Sequence, residues 1–522
     1  MKKWMAIFMG ILVAMPAFSG CGKSPEQAAP EGTGSDSAQN NAQSEGGDIA
    51  EIIMQWPSVT GTEEGLSGVE DAINAIIEPE YGIHVTFEPV QFSNLANQTT
   101  FSVSSGEQLD LCISIGTGVG SLVSSGALKP LDELVEAYGQ DILSACGSRI
   151  SGGYCGTQLY GIPTAYINGE AYGFQVLTKF LDKYHIEIDE DKIYTLDEAE
   201  KIFDTIKAGE GEDFYIFATG DMLTSTQQIL GGAAFPVDQL GQTCGSGVLM
   251  LDDYFGTDNT DYQVVNMFET EEYKEAAERI YRWNQKGYFA PDCLENTDSM
   301  AMMSALTGGN YLGNFGFATE AYGTEGQIGE DMTLIRTVDL YSAAHMFSNV
   351  LWSIPVTSKH PEEAMKFLNL LYGEDRTLLH LIKSGIEGTD YEIIEDNGED
   401  QVIKYLDTGT YRMMLGAYGD VTHYFVESPA PITRNQEYDA ISAALKPERV
   451  SPTLGYVFVT DNVASQYASV TTVISEYQSI ITTGSADPET ILPEFIEKLK
   501  SAGIDDVIAE NQKQLDAFLE SK

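Results

Sequence analysis

The sequence of 522 residues predicts a layered α/β fold, and three observations support that prediction. Apolar segments of strand length alternate with segments in which apolar residues recur at helical spacing, an order typical of sheets covered by helices. Hydrophobic residues make up 43% of the chain and aromatic residues 10%, which is enough for large cores and excludes global disorder. At roughly 100–200 residues per domain, the length indicates two to four structural units.

The N-terminus predicts export and lipid attachment. Two lysines precede an apolar run from Trp4 to Phe18, which is shorter than a membrane-spanning helix requires. The small residues before Cys21 resemble a bacterial lipobox, in which the cysteine is lipidated and becomes the first residue of the mature chain. We therefore predict a lipoprotein signal peptide over residues 1–21 with Cys21 as the lipid anchor. A plain secretory signal cleaved near Ala17 is the alternative.

The segment that follows has the composition of a linker. Residues 22–48 contain no Val, Ile, Leu or aromatic side chain, so they cannot bury enough apolar surface to order themselves. We predict a disordered tether there. A lipidated cysteine followed by a tether would hold a globular body at the extracytoplasmic face of the bacterial cell membrane, with the N-terminal lipid as its attachment.

The charge balance limits the partners. The chain has 28 Lys and Arg against 79 Asp and Glu, a formal net charge of −51. Such a charge repels phosphate backbones and anionic lipid headgroups, so no nucleic acid is expected as a partner. Few basic residues also disfavour acidic or phosphorylated ligands.

Sequence motifs for catalysis or cofactor binding are absent. The chain has no phosphate-binding P-loop, no G-x-S-x-G and no H-E-x-x-H, and the Gly-rich stretch from Gly116 to Gly120 lacks the last glycine of a dinucleotide fingerprint because Ser121 follows. We predict no enzyme, no cofactor and no metal. A lipid-anchored glycoside hydrolase with two converging carboxylates remains an alternative. Cys146 and Cys155 flank a Gly-rich loop; they can pair or be separate buried residues.

The first elements are predicted from apolar patterning. Residues 49–56, 84–88 and 109–115 read as strands, and residues 65–77 read as a helix. Ligands of open α/β sheets lie beyond the carboxyl ends of the strands, so the end of the first strand falls where binding is expected.

The later helices carry start and stop signals. Thr195 and Glu198 form a capping box, and we expect the helix to end at Gly209. A second apolar stripe begins at Tyr273 and ends before Gly287, and further helices are expected from Pro361, from Pro488 and after Gly503.

The order of several motifs resembles bacterial extracellular solute-binding proteins of carbohydrate importers. The stretch from Ser105 to Leu111 resembles the "sGe..Dl" signature, and residues 125–132 resemble "G.l.pLd". The segment from Ser358 to Leu368 is also typical of that family. The ending, residues 502–516, is similar to the DUF3502-type C-terminal region of large sugar-binding lipoproteins.

The resemblance implies a two-lobed, type II periplasmic-binding-protein-like fold with an interlobe ligand cleft and extra C-terminal helices. It places residues 49–168 plus 350–400 in the first α/β lobe and residues 169–349 plus 401–522 in the second. Such a protein captures a solute, here a neutral oligosaccharide, and delivers it as a monomer to the transmembrane subunits of an ABC permease. A peptide or signal-molecule receptor on the same scaffold is the alternative.

Sugar sites use aromatic rings as stacking platforms and carboxylates as hydrogen-bond partners. Trp283 lies on a helical stripe and is predicted to be core. The predicted ligand-binding residues are aromatic or acidic residues at strand ends, in loops or beside the expected crossovers, with core packing or surface exposure as the alternative for each. They are Trp56, Tyr166, Glu170, Tyr172, Glu320, Tyr322, Trp352 and Tyr418.

Overall fold

A computed structural model describes most of the chain after residue 48. The described residues are 49–58, 64–91, 94–115, 119–155, 158–165, 169–189, 191–218, 234–241, 245–294, 305–317, 328–348, 350–396, 398, 401–413, 416–428 and 443–521. Residues Asp48–Lys522 belong to one compact unit. The predicted signal peptide, the anchor Cys21 and the tether lie outside the described residues.

Strands and helices alternate along most of the unit, as the apolar patterning predicts. The strands are β1 Ala50–Ser58, β2 Ile83–Gln91, β3 Cys112–Ile115, β4 Tyr154–Cys155, β5 Gln158–Leu159, β6 Ile162–Pro163, β7 Glu170–Leu177, β8 Tyr215–Phe217, β9 Val237–Asp238, β10 Leu249–Met250, β11 Tyr311–Phe317, β12 Met332–Tyr341, β13 Val350–Ser353, β14 Tyr391–Asp396, β15 Gln401–Tyr405 and β16 Val426–Glu427. The α-helices are α1 Leu66–Tyr81, α2 Leu95–Ser105, α3 Gly120–Ser124, α4 Asp132–Tyr138, α5 Gln140–Cys146, α6 Thr178–Lys183, α7 Leu196–Glu210, α8 Glu271–Gln285, α9 Ala344–Phe347, α10 Pro361–Leu370, α11 Thr377–Ser384, α12 Ala464–Thr482, α13 Pro488–Ala502 and α14 Ile504–Ser521.

The first sheet combines the N-terminal strands β1, β2, β3 and β6 with β13, which follows much later in the chain. β1 pairs with β2 in parallel, and a parallel bridge from Met54 to Leu111 connects β1 to the segment that enters β3. β13 then lies antiparallel between β3 and β6. A strand from the middle of the chain therefore completes a sheet that the N-terminal strands begin.

The second sheet has the strand order β12-β7-β11-β8. β7 is antiparallel to both β11 and β12, and β8 runs parallel to β11. A separate small sheet contains β14, β15 and β16.

The buried apolar side chains form two large clusters. The first core contains residues between Ile52 and Ala165 together with residues between Trp352 and Tyr424. The second core contains residues between Tyr172 and Phe347 together with residues between Tyr456 and Leu515. The division into lobes stays a prediction. The first core nevertheless includes residues up to Tyr424, beyond residue 400, where the first lobe was expected to end. Residues 411–413 and 416–424 contribute side chains to the first core, where Tyr418 contacts both Trp56 and Trp352.

The local helix signals are largely confirmed. Thr195 and Glu198 make both hydrogen bonds of the capping box at the start of α7. The predicted end at Gly209 is wrong, because α7 continues to Glu210 and Gly211 follows it with φ 101°. Gly209 serves close packing instead: a Cβ at that position would lie 2.2 Å from the hydroxyl oxygen of Tyr184.

Two of the sequence motifs meet at a buried carboxylate. Asp110 has no exposed surface, and its Oδ1 accepts hydrogen bonds from the hydroxyl of Ser358 at 2.7 Å and from the backbone N–H of Lys359 at 2.9 Å. Its Oδ2 accepts from the N–H of Ile53 at 2.9 Å. Asp110 therefore fastens the segment before α10 to the first sheet.

Candidate functional site

The first sheet presents several strand ends at one edge. β1, β2 and β3 run in the same direction, as their parallel pairing and the parallel bridge to Leu111 show. β13 is antiparallel to β3 and to β6, so β6 ends at the same edge as β3 and β13 begins there. In open α/β sheets, this carboxyl edge is where ligands bind.

The second sheet has a corresponding edge. β7 begins with Glu170, whose backbone pairs with Tyr341 at the end of β12. Phe317, at the end of β11, pairs with Tyr172. Because β8 is parallel to β11, it ends at this edge too. β12, β11 and β8 therefore end at the same edge of the second sheet at which β7 begins.

Short chain crossings hold the two edges near each other. The crossing from β6 to β7 runs from Pro163 to Glu170. The crossing from β12 to β13 runs from Tyr341 to Val350 and contains α9. Both crossings connect the carboxyl edge of the first sheet with the corresponding edge of the second sheet, and we call the region that contains them the junction.

Buried side chains fix the first-core side of this junction. The guanidinium of Arg149 donates to the carbonyl of Thr164 at 3.2 Å and to the carbonyl of Met346 at 3.0 Å, and it lies 4.9 Å from the ring centre of Phe347. Arg149 is 4% exposed. One side chain thus holds the backbone of both crossings.

The carbonyl of Pro163, where the first crossing begins, is also held. It accepts from the hydroxyl of Tyr372 at 2.8 Å and from the thiol of Cys146 at 3.2 Å. Burial raises the pKa of Cys146 to about 12, although Arg149 opposes that shift, so the thiol stays protonated and remains a donor at neutral pH. Cys146 and Cys155 are both free and buried, which favours the interpretation of separate core residues.

On the second-core side, the carboxylate of Asp238 gathers three segments. It has no exposed surface. Its Oδ2 accepts from the hydroxyl of Ser451 at 2.6 Å, from the hydroxyl of Thr453 at 2.7 Å and from the N–H of Ala344 at 3.0 Å. Oδ1 accepts from the N–H of Leu240 at 2.8 Å. These bonds compensate a buried negative charge, and they connect the second crossing to the segment around Ser451.

Three of the predicted site residues come together, but inside the first core. Tyr418 lies between Trp56 and Trp352, with ring centres 5.3 Å and 5.4 Å away. All three side chains have no exposed surface. The indole N–H of Trp352 donates to the carbonyl of Ala417 at 2.7 Å. These three side chains were expected in an open cleft, but they are enclosed. Trp56 lies on the same buried face of β1 as Ile52 and Met54, and Tyr418 covers it. Solute contact by these residues stays a prediction, while their packing role is visible.

The remaining predicted site residues divide into two groups. Tyr172 is buried in the second core, with its ring centre 5.8 Å from that of Tyr341, so it packs there rather than facing solvent. The backbone of Glu170 begins β7 at the junction. Tyr166, Glu320 and Tyr322 lie outside the described residues. Trp283 is 1% exposed in the second core, which confirms the core prediction for it.

The residues that position the junction were missed by sequence reasoning. Arg149 and Asp238 are charged and buried, and a single sequence gives no sign that either is inside. Their charges are compensated by groups more than a hundred residues away along the chain. Within the described residues, no group of three His, Cys, Asp or Glu side chains is arranged to hold a metal ion. None of the described helices is long and apolar enough to cross a membrane.

Two α/β cores joined by short crossings, with the strand ends of both sheets at the junction, are the architecture of a periplasmic-type solute-binding protein. The family described as bacterial extracellular solute-binding protein matches residues 67–376, more than half of the chain, so the chain belongs to that family. A domain of unknown function, DUF3502, matches residues 452–520. The family is a non-enzymatic component of transport.

Individual relatives agree with this assignment. The carbohydrate ABC transporter substrate-binding protein of Streptococcus pneumoniae serotype 4 is 25% identical over 454 residues, which are 86% of this chain and 87% of that protein. The crystal structure of the N-glycan transport solute-binding protein NgtS of Streptococcus pneumoniae has a TM-score of 0.73 at 24% identity, covering 90% of this chain and 99% of NgtS. FusA of Streptococcus pneumoniae, in complex with kestose, has a TM-score of 0.57 at 16% identity, covering 91% of this chain and 100% of FusA. These structures share the fold.

Proposed function

We propose that this protein captures a neutral oligosaccharide between its two cores and delivers it to the transmembrane subunits of an ABC permease. The observation that carries the proposal is the junction itself. Two crossings, Pro163–Glu170 and Tyr341–Val350, connect strand ends at the edge of the first sheet with strand ends at the edge of the second sheet. A solute there contacts both cores at once.

Binding to both edges gives the solute a way to close the protein. A ligand shifts the equilibrium between open and closed forms only by its differential contacts with the two. Arg149 anchors both crossings, at Thr164 and at Met346, and Asp238 anchors the second crossing at Ala344. Bending of the second crossing would therefore be absorbed near these anchors. On this proposal the two cores are the two lobes.

The chemistry of the ligand is supported by the relatives and by the charge. NgtS structures contain Man1GlcNAc and Man5GlcNAc, and the FusA structure contains kestose; these are uncharged sugars. With 28 basic residues against 79 acidic ones, the chain is poorly suited to anionic sugars. Carboxylates and amides suit the hydroxyl groups of neutral ones.

The proposal includes the location of the protein. Lipid attachment at Cys21 and the tether would keep the monomeric body at the extracytoplasmic face of the membrane, within reach of the permease. The body itself would not touch the bilayer.

The experiment is a melting and calorimetry screen of the purified protein against Man1GlcNAc, Man5GlcNAc, kestose and a set of short peptides. A ligand at a hundred times its Kd stabilises the folded protein by about 2.7 kcal/mol. We expect a rise in Tm with at least one oligosaccharide, and recovery of that sugar intact. Stabilisation by peptides alone would favour the receptor alternative, and a cleaved sugar would favour the hydrolase.

A site variant makes the screen specific. Glu170 begins β7 at the junction, so Glu170→Ala is expected to weaken binding of the active sugar at least about tenfold, the effect of losing a charged hydrogen bond. Glu271→Ala is the matched control, because the side chain of Glu271 is 80% exposed at the start of α8. Equal affinities for the two variants would remove Glu170 from the site.

A further inference from the structure

A third segment of the chain, residues 449–459, also passes between the two cores. The N–H of Ser342 donates to the carbonyl of Arg449 at 3.0 Å, and the N–H of Ser451 donates to the carbonyl of Ser342 at 2.7 Å. Farther along, the N–H of Phe458 donates to the carbonyl of Leu240 at 3.2 Å. The segment is therefore hydrogen-bonded to the second crossing at Ser342 and to the turn at Leu240, two residues after Asp238.

The side chains of this segment divide between the two cores. Tyr456 and Phe458 are buried in the second core. The next residue, Val459, packs against a small apolar cluster on the first sheet that includes Cys112 and Leu351. Adjacent residues of one chain thus belong to opposite sides of the junction, and any rotation of one core relative to the other must act on the backbone at Val459.

The last helix of the chain holds that backbone. Gln514 on α14 accepts from the N–H of Val459 with Oε1 at 3.0 Å and donates from Nε2 to the carbonyl of Val459 at 2.9 Å. The hydroxyl of Tyr456 donates to Oδ1 of Asn511 at 2.8 Å. α14 itself is fixed in the second core, where Val507 and Leu515 have no exposed surface.

We infer that α14 acts as a brace on the junction and that Gln514 is a positioning residue that sets the orientation of the two cores. This gives a role to the C-terminal region that matches the domain of unknown function, residues 452–520. The inference rests on the proposed function, in that closure of the cores on a solute is what makes their orientation matter. If the competent orientation is less populated, the apparent Kd rises in proportion.

The helix supplies its own control. Gln512 accepts from the N–H of Val264 with Oε1 at 2.7 Å and donates to the carbonyl of Tyr262 at 2.9 Å, and both of those residues pack in or against the second core. Each glutamine also donates to an acid four residues away on α14, Gln512 to Asp516 and Gln514 to Glu510. The two side chains make the same kind of backbone clamp, but only that of Gln514 reaches a residue packed against the first sheet.

The test compares Gln514→Met with Gln512→Met, since methionine keeps the length of the side chain and loses the hydrogen bonds. Nitroxide labels on cysteines introduced at Phe101, which is 58% exposed on α2, and at Lys274, whose side chain is 54% exposed on α8, report the distance between the two parts of the molecule. Cys21 and Cys244 are replaced by serine so that they do not take the label. The distance is measured without ligand by double electron–electron resonance.

We expect both variants to lose similar thermal stability, and only Gln514→Met to shift or broaden the distance distribution. With an oligosaccharide that binds the parent protein, Gln514→Met should change Kd about three- to tenfold, the effect of about one net hydrogen bond, and Gln512→Met should not. An unchanged distance distribution in Gln514→Met, or the same change in both variants, overturns the brace. If Gln514→Met fails to fold, Gln514→Glu keeps the acceptor and loses the donor, and it is judged by the same distances. Failure of all the sugars to bind would count against the proposed function and leave the distance test decisive for the brace.

Discussion

Replacing Trp56 separates a core role from a ligand role most directly. The indole has no exposed surface, and its ring centre lies 4.6 Å from that of Phe87 and 5.3 Å from that of Tyr418. Its Nε1 makes no hydrogen bond to the described residues. Truncation therefore removes packing without leaving a partner unpaired, so the cost of Trp56→Ala is that of a large cavity, about 3–5 kcal/mol.

This cost predicts a large melting shift and a small affinity change. Trp56 lies in the first core, whose residues fall within 52–165 and 352–424, so the scale for a unit of 150–250 residues applies. Each kcal/mol then lowers Tm by about 2–4 °C, and Trp56→Ala should melt about 6–20 °C below the parent protein. Affinity for the oligosaccharide, measured by calorimetry well below that Tm, should stay within about threefold, because an enclosed side chain offers no surface to a solute.

Trp352 provides the matched comparison, because it lies on the other side of Tyr418 and is equally buried. Its Nε1 donates to the carbonyl of Ala417, so Trp352→Phe leaves a buried acceptor unpaired and should cost about 1–3 kcal/mol more than Trp56→Phe. The reasoning is refuted if Trp56→Ala melts like the parent protein and binds at least about tenfold more weakly, since the indole would then contact the sugar.

Two further outcomes are expected. Cys21→Ala should release the protein from the membrane fraction into the medium or periplasm, and unchanged retention would show that the lipid anchor is not there. Glu200, although burial opposes it, has its pKa lowered to about 2 by Arg282 and Lys286, from an ordinary value of 4.5. Its stabilising contribution is therefore complete above about pH 4.5 and is lost as the pH falls toward 2. Chemical unfolding between pH 6 and 3 should show a weaker acid dependence in Glu200→Gln than in the exposed control Glu271→Gln, and identical profiles would contradict the assignment.

The fold was accessible from the sequence where local patterning decides it. The capping box at Thr195 and the Pro-initiated helix at Pro361 are written in neighbouring residues, and both helices form as predicted. The prediction that the helix ends at Gly209 was wrong because a contact distant in the sequence, and not a local signal, explains this glycine. That glycine reads as a helix stop, but the reason for it is Tyr184, which lies on another helix end and leaves no room for a Cβ.

The site was less accessible because aromatic residues at strand ends fit two environments equally well. The sequence predicted that Trp56 ends its strand in front of a Pro/Gly turn, whereas β1 continues to Ser58 and another segment covers the side chain. The covering segment carries Tyr418 and follows more than three hundred residues later. No local pattern indicates that contact, so the sequence predicted a binding platform at a residue whose side chain is packed in the first core, and its contact with a solute stays a prediction.

For α14, the sequence predicts which face of the helix is buried but not which segments pack beside it. On α14, Val507, Asn511 and Leu515 have no exposed surface and recur at helical spacing, so the buried stripe can be read from the sequence. At 100° per residue, Gln512 and Gln514 fall on opposite flanks of that stripe. A half-buried amide on each flank is therefore predictable, and each is positioned to clamp whatever backbone passes beside the helix. Which backbone passes is decided by tertiary packing: the loop before α8 lies on one flank and the junction at Val459 lies on the other. Gln512 and Gln514 thus differ in the backbone segment that each one binds, and not in their own chemistry. Comparing Gln512→Met with Gln514→Met measures the effect of that difference.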